Sequence, residues 1–190
     1  MKKIISFMNF KGGCGKTTLT CLSALYLVTA KKASVRVSDR DQGKDTESFV
    51  RNINHDKIKL FDAAEDDDNY DYLLIDTPGG IVKEEMAQIA ELSDLIVIPF
   101  ALSPTDIRRT RKTGEALNGA ENIRLLFNQV NTRTHAFTQR QGVLEALGLE
   151  ALKNHLSKRV GYTYALAGGS DSLTTECIEE LGKVVEEIIA

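Results

Sequence analysis

The stretch Met8-Asn9-Phe10-Lys11-Gly12-Gly13-Cys14-Gly15-Lys16-Thr17-Thr18 sets two lysines around three glycines, directly ahead of a segment with helical spacing. Glycines at these positions let the backbone turn so that successive N–H groups point inward, which makes a concave site for phosphate oxygens. A helix beginning near Lys16 adds about half a positive charge at its N-terminus. Lys16 would then lie against the β- and γ-phosphates of a nucleotide, and the Thr17 hydroxyl would ligate Mg2+. Gly12, Gly13, Cys14, Gly15 and Thr18 complete such a cradle, provided a strand precedes it and a helix follows. The alternative is a chance glycine turn. One lysine suffices for a single phosphate loop, so Lys11, five positions earlier, needs its own account; taken alone it reads as an exposed lysine at a loop edge.

Three aspartates stand where a metal ion or a water could be handled. Asp76 ends the apolar run Leu73-Leu74-Ile75 and is followed by Thr77-Pro78-Gly79-Gly80, while Asp39 and Asp41 flank Arg40 after Val35–Ser38. A helix cap or a turn is the competing reading for Asp39 and Asp41. Cys14, Cys21 and Cys177 are odd in number and lack CxxC spacing, and His55, His135 and His155 are scattered. That argues for a reducing compartment and against a disulfide frame or a zinc site. The opening MKKIISFMNF has only a short apolar run, and no stretch approaches the ~18 apolar residues of a membrane span. A cytoplasmic protein is expected.

The elements that must position these groups alternate along the chain. Strand-like runs fall at Ile4–Met8, Val35–Asp39, Tyr72–Ile75, Leu95–Phe100 and Ile123–Val130, with a shorter apolar run at Ile58, Leu60 and Phe61. Helical spacing marks Lys16–Thr29, a segment of about ten residues after Gly80, one starting at Ser103-Pro104-Thr105-Asp106, one near Phe137–Leu147, and an amphipathic tail from about Ser172. Between them lie a polar stretch after Asp41 and the acidic loop EDDDNYD at 65–71. Such alternation predicts an α/β fold with a mostly parallel twisted sheet and helices on both faces. The near-continuous apolar strands LLID and LIVIPF fit burial on both sides. Over 190 residues without repeats or a low-complexity linker, one domain spanning 1–190 is expected.

The glycine stretch departs from G-x-x-x-x-G-K-[ST], because Phe10 stands where the first glycine would fall. In the form N-x-K-G-G-x-G-K-T-T it resembles instead the deviant Walker A motif of the ParA/MinD class of P-loop ATPases, matched by Asn9, Lys11, Gly12, Gly13, Gly15, Lys16, Thr17 and Thr18. The resemblance implies ATP and Mg2+ as ligands and gives Lys11 a role: it would reach across a nucleotide-sandwich homodimer to the phosphates held by the other subunit. Ser38-Asp39-Arg40-Asp41-Gln42-Gly43 looks like the family's D-x-D-P-Q-G segment without its proline. That would make Asp41 the carboxylate that positions the attacking water and Asp39 a support for the Mg2+ region. Leu73–Pro78 is similar to a Walker B strand, with Asp76 holding Mg2+ through water and Thr77–Gly80 as the switch loop. A second proline is common where Gly79 stands, so a looser loop is expected. Asn128, after a late strand, matches residues near the adenine, although a turn-forming asparagine is the alternative.

VIPFALSPTDI and LSKRVGYTYALAGGSDSLTT extend the resemblance over nearly the whole chain, most closely to small ParF-type plasmid partition proteins. What that implies is ATP-dependent dimerisation, nonspecific DNA binding in association with the nucleoid, and stimulation by a ParB/ParG-like centromere-binding partner. A related ATPase that positions a protein cargo, or a P-loop metabolic enzyme, is the alternative. A MinD-like membrane helix would be basic, whereas the tail here carries five glutamates and one lysine, so core packing is the simpler expectation and no membrane partner is expected. Net charge is −3, yet residues 101–160 hold ten Lys/Arg against five Asp/Glu. Arg108, Arg109, Arg111 and Lys112, with Arg140, Lys158 and Arg159, are the candidate DNA contacts; a solvated helix face is the plain alternative.

Overall fold

The computed structural model describes residues 2–64, 69–117 and 120–190. Six strands, β1 (Lys3–Phe7), β2 (Val35–Asp39), β3 (Ile58–Leu60), β4 (Tyr72–Asp76), β5 (Leu95–Phe100) and β6 (Ile123–Phe127), form one sheet in the order β3-β2-β4-β1-β5-β6. Every pairing is parallel. Parallel neighbours need crossovers, and these are supplied by α1 (Lys16–Ala30), α2 (Asp45–Ile53), α3 (Lys83–Leu92) and α4 (Pro104–Ala116). The chain continues through α5 (His135–Thr138), α6 (Arg140–Leu147), α7 (Val160–Gly168) and α8 (Thr175–Ile189). This is the α/β fold, a parallel sheet flanked by helices, that the alternation predicts.

Side chains of each strand alternate between two cores. Val97 and Leu74 point to a core with α1, α2, α7 and α8, whereas Ile96, Ile98, Phe100, Leu73 and Ile75 point to one with α3, α4 and α5. Strands buried on both faces read as unbroken apolar runs, which is why LLID and LIVIPF lack a polar period. The tail's apolar stripe, Cys177, Leu181, Val184 and Ile188, is buried in the first of these cores. Among the described residues no helix is long and apolar enough to cross a membrane.

Several elements differ from the sequence expectation. The stretch after Asp41 forms α2, which buries Thr46, Phe49 and Val50. β6 stops at Phe127, because Gln129 adopts a left-handed φ of 56° that ends the strand. The helix expected over Phe137–Leu147 is two helices meeting at Gln139. α7 has no counterpart in the sequence expectation. Of the acidic loop, residues 65–68 lie outside the described residues.

The order places β1 between β4 and β5, so the chain leaves it on one side and returns on the other. In open parallel sheets the crevice at such a reversal, beyond the carboxyl ends of the strands, is where ligands bind. The loops leaving β1, β2, β4, β5 and β6 carry the candidate residues to that edge.

Candidate nucleotide site

The loop from Asn9 to Gly15 leaves the central strand and enters α1 with Gly15 as N-cap at φ 92°. A Cβ at Gly15 would stand 2.3 Å from the Asn128 amide nitrogen, so both backbone and space require glycine there. Asn128 Nδ2 donates to the Cys14 carbonyl at 2.7 Å, and Gln129 Nε2 to that of Gly13 at 3.4 Å. The end of β6 thereby fixes the loop from outside. Lys16 is buried, and its ammonium group reaches back to donate to the Lys11 carbonyl at 3.1 Å. Cys14 Sγ donates to the same oxygen, and burial pushes its thiol up, which makes it a packing group rather than a nucleophile.

Beneath the loop sits Asp76, fully buried at the end of β4 and in register with Asp39 on β2 and Phe7 on β1. Thr17 Oγ1 donates to Asp76 Oδ2 at 2.7 Å and Thr46 Oγ1 to the same oxygen at 2.6 Å. Oδ1 has no hydrogen-bond partner among the described residues. Burial pushes the Asp76 carboxyl up to about 6, an effect opposed by the two hydroxyl donors and by Lys16 and reinforced by Asp39. A buried carboxylate with one open oxygen beside a threonine hydroxyl offers hard oxygen donors, which suits Mg2+. Among the described residues no group of three or more His, Cys, Asp or Glu could hold a metal. Mg2+, which keeps several waters and shares phosphate oxygens, does not need one.

The neighbouring carboxylates are engaged differently. Asp39 accepts the Asp41 N–H and the Glu47 N–H, both at 2.9 Å, so it shapes the turn after β2 and caps the first turn of α2. Asp41, half-buried, accepts the Gly43 N–H at 3.2 Å. Thr46, the second hydroxyl on Asp76 beside that of Thr17, carries no signal in the sequence, since only the docking of α2 brings it there.

Residues 5–172 match the family model of the CobQ/CobB/MinD/ParA nucleotide binding domain. The chain belongs to this family. It is 26% identical, over 97% of its own length and 95% of the relative's, to the maintenance of carboxysome distribution protein A of Halothiobacillus neapolitanus. Its fold matches MinD in the MinC:MinD cell division complex of Aquifex aeolicus, with a TM-score of 0.79 at 18% identity over 98% of this chain and 96% of that one. It also matches the septum site-determining protein MinD of Pyrococcus horikoshii, solved with Mg-ADP, with a TM-score of 0.71 at 17% identity over 99% and 96% of the two chains.

Within this MinD/ParA-type domain the second lysine is held by its own chain. Lys11 Nζ pairs with Asp106 Oδ1 on α4, and Ser103 Oγ donates to Asp106 Oδ2. Asp106 thus binds two side chains, where the sequence suggests only a carboxylate at a helix start. Beside α1 lies a cavity of about 270 Å3 lined by Thr18, Leu22, Asn128, Gln129, Lys158, Arg159 and Tyr164. Gly79 in the loop after Asp76 packs directly on the nucleotide loop: a Cβ there would stand 2.8 Å from Gly12 N and Cα. The loop is close-fitting, not looser.

The basic candidates do not gather in one place. Arg108, Arg109 and Lys112 lie on the outer face of α4 and line a cavity of about 530 Å3 with Phe10, Gly79 and Gly80. Arg111 donates to the Ala146 carbonyl at 3.4 Å. Arg140 covers the Phe137 ring at 4.4 Å. Lys158 and Arg159 line the cavity beside α1, and Arg159 pairs with Glu180 at 3.3 Å.

Proposed function

We propose that this chain is a ParA-type ATPase that binds ATP with Mg2+, forms an ATP-dependent sandwich dimer, hydrolyses the nucleotide, binds DNA without sequence preference and positions a cargo. The observation that carries the reading is the buried Thr17–Asp76 pair, with the open Asp76 oxygen beneath a glycine loop that holds Lys16. Lys16 would neutralise the β- and γ-phosphates, Thr17 and Asp76 would hold Mg2+ directly and through water, and Asp39 would keep the surrounding turn in place. The ion would draw off charge developing on the phosphates. Asp41 would orient the attacking water, and the cavity beside Asn128 would receive the base. Lys11 would serve the phosphates of a second copy. In the cell such a protein would be cytoplasmic and nucleoid-associated, with plasmid or chromosomal DNA as cargo through a ParB/ParG-like partner.

A second reading, a protein cargo, is favoured by the near full-length likeness to the carboxysome distribution protein. The two share the ATPase cycle and differ in the partner.

Phosphate release and light scattering test the shared part. We expect slow Mg2+-dependent turnover and a doubled mass with ATP but not ADP. Lys16→Ala should weaken ATP binding by roughly 100-fold or more, because the phosphates lose a buried cation. Asp41→Ala should keep binding and lose turnover. Unchanged ATP affinity in Lys16→Ala would refute the assignment of the loop.

A further inference from the structure

We infer that Asp106 is a positioning residue for Lys11: it holds this lysine in its own subunit and must release it before the lysine can serve the nucleotide of a second copy. The inference rests on the dimer reading above.

Asp106 is almost wholly buried while the Lys11 side chain is partly exposed, so the carboxylate is the fixed member of the pair and the lysine the mobile one. The site around Asp106 is built. Ser103 Oγ donates to its second oxygen and accepts the Asp106 N–H at 3.2 Å, which locks the carboxylate at the first turn of α4. The backbone at Lys11 is joined to the same helix independently. Asn9 Nδ2 donates to Thr110 Oγ1 at 3.2 Å, Thr113 Oγ1 donates to Asn9 Oδ1 at 3.3 Å, and the Phe10 N–H donates to Thr113 Oγ1 at 3.1 Å. Asn9 Oδ1 also accepts the Lys11 N–H at 2.9 Å. The backbone at Lys11 therefore stays anchored while its side chain has two possible acceptors, Asp106 in the same subunit or phosphate across a dimer.

Removing the lysine strands a buried carboxylate with Ser103 as its remaining side-chain partner, which is unfavourable. Only a competing anion of high charge can offset this, so the pair raises the threshold for association and favours a triphosphate over a diphosphate. A ligand shifts such an equilibrium only by its differential affinity for the two states. Asp106 supplies part of that difference by making the resting state cost more to leave.

Asp106→Asn keeps the shape and removes the charge. Sedimentation across a protein series with ATP, and separately with ADP, should show self-association at roughly tenfold lower concentration than wild type, with a smaller ATP-to-ADP ratio. In a Lys11→Ala background the same change should bring no gain, since no lysine remains to be freed. Thermal melts of the nucleotide-free protein give a readout that needs no dimer: Lys11→Ala should lower the melting temperature, and adding Asp106→Asn should recover part of the loss. If Asp106→Asn does not fold, Asp106→Ser, too short to reach Lys11, replaces it. Wild-type dimerisation with ATP but no gain in a folded Asp106 variant would overturn this inference and leave the dimer reading standing. An equal gain without Lys11, or no recovery in the melts, would also overturn it. Failure of wild type and variant alike to associate would sink both readings.

Discussion

Asp76 is where the demands of folding and of binding conflict. Its carboxyl is pushed up to about 6 from 3.8, chiefly by burial. A folded-state value above the unfolded one means that the folded protein holds more protons between these limits, so stability falls as pH rises through that window. The difference corresponds to about 3 kcal/mol above pH 6. Asp76→Asn should therefore melt at a higher temperature than wild type at pH 7.5, with the gap closing near pH 4, while losing Mg2+-dependent nucleotide binding. Equal melts at pH 7.5 would refute the burial argument. Because proton and metal compete for the same oxygens, Mg2+ affinity in wild type should weaken as pH drops below about 6. Lys16, Thr17 and Asp76 are legible in the sequence, since a strand end and a glycine loop at fixed spacing announce them. Thr46 and the pairing of Asp106 are not, because each meets the site only through the docking of a helix whose own sequence is ordinary.

Helices and loops were legible to different degrees for similar reasons. α4 declares itself through Ser103, whose side chain accepts the Asp106 N–H, and Pro104 at the first turn. α2 hides behind acidic and polar residues, with few positions turned to the core. α7, VGYTYALAG, lacks a polar period and charged ends, so no face marks it as a helix. The loop after Asp76 differs from its sequence expectation in fit: Gly79 permits backbone contact with Gly12 instead of slack. Both sides of that contact are main chain, so nothing flexible can yield to an added methyl group. Gly79→Ala should cost about 1–3 kcal/mol and force this loop away from the nucleotide loop. Faster proteolysis within 77–82 and a lower melting temperature are expected; wild-type values for both would show that the contact carries no strain when filled.

The charge of the whole molecule is divided rather than spread. Residues 101–160 carry ten cations against five anions in a chain of net charge −3. Arg108, Arg109, Arg111 and Lys112 are all exposed on α4. A single copy would neutralise few phosphates and a pair twice as many. Each phosphate contact contributes about −0.9 to the slope of log affinity against log salt. DNA binding, measured on two unrelated duplexes, should thus be stronger and more salt-sensitive with ATP than with ADP, and reversing these four charges should flatten the slope. Equal affinity with either nucleotide would detach DNA binding from the dimer. The sheet order has a further consequence, for the growing chain on the ribosome. β1 takes both its partners, β4 and β5, from after residue 70, and the bond that braces Gly15's neighbour Cys14 comes from Asn128. Long-range parallel pairing forms late, after the intervening chain exists to close the loop. The nucleotide loop is synthesised ahead of all these partners: β1 gains its first neighbour only once β4 (Tyr72–Asp76) has been made, and its second only with β5 (Leu95–Phe100). A nascent chain thus carries its binding motif without a complete site to bind with until Asn128 has been made.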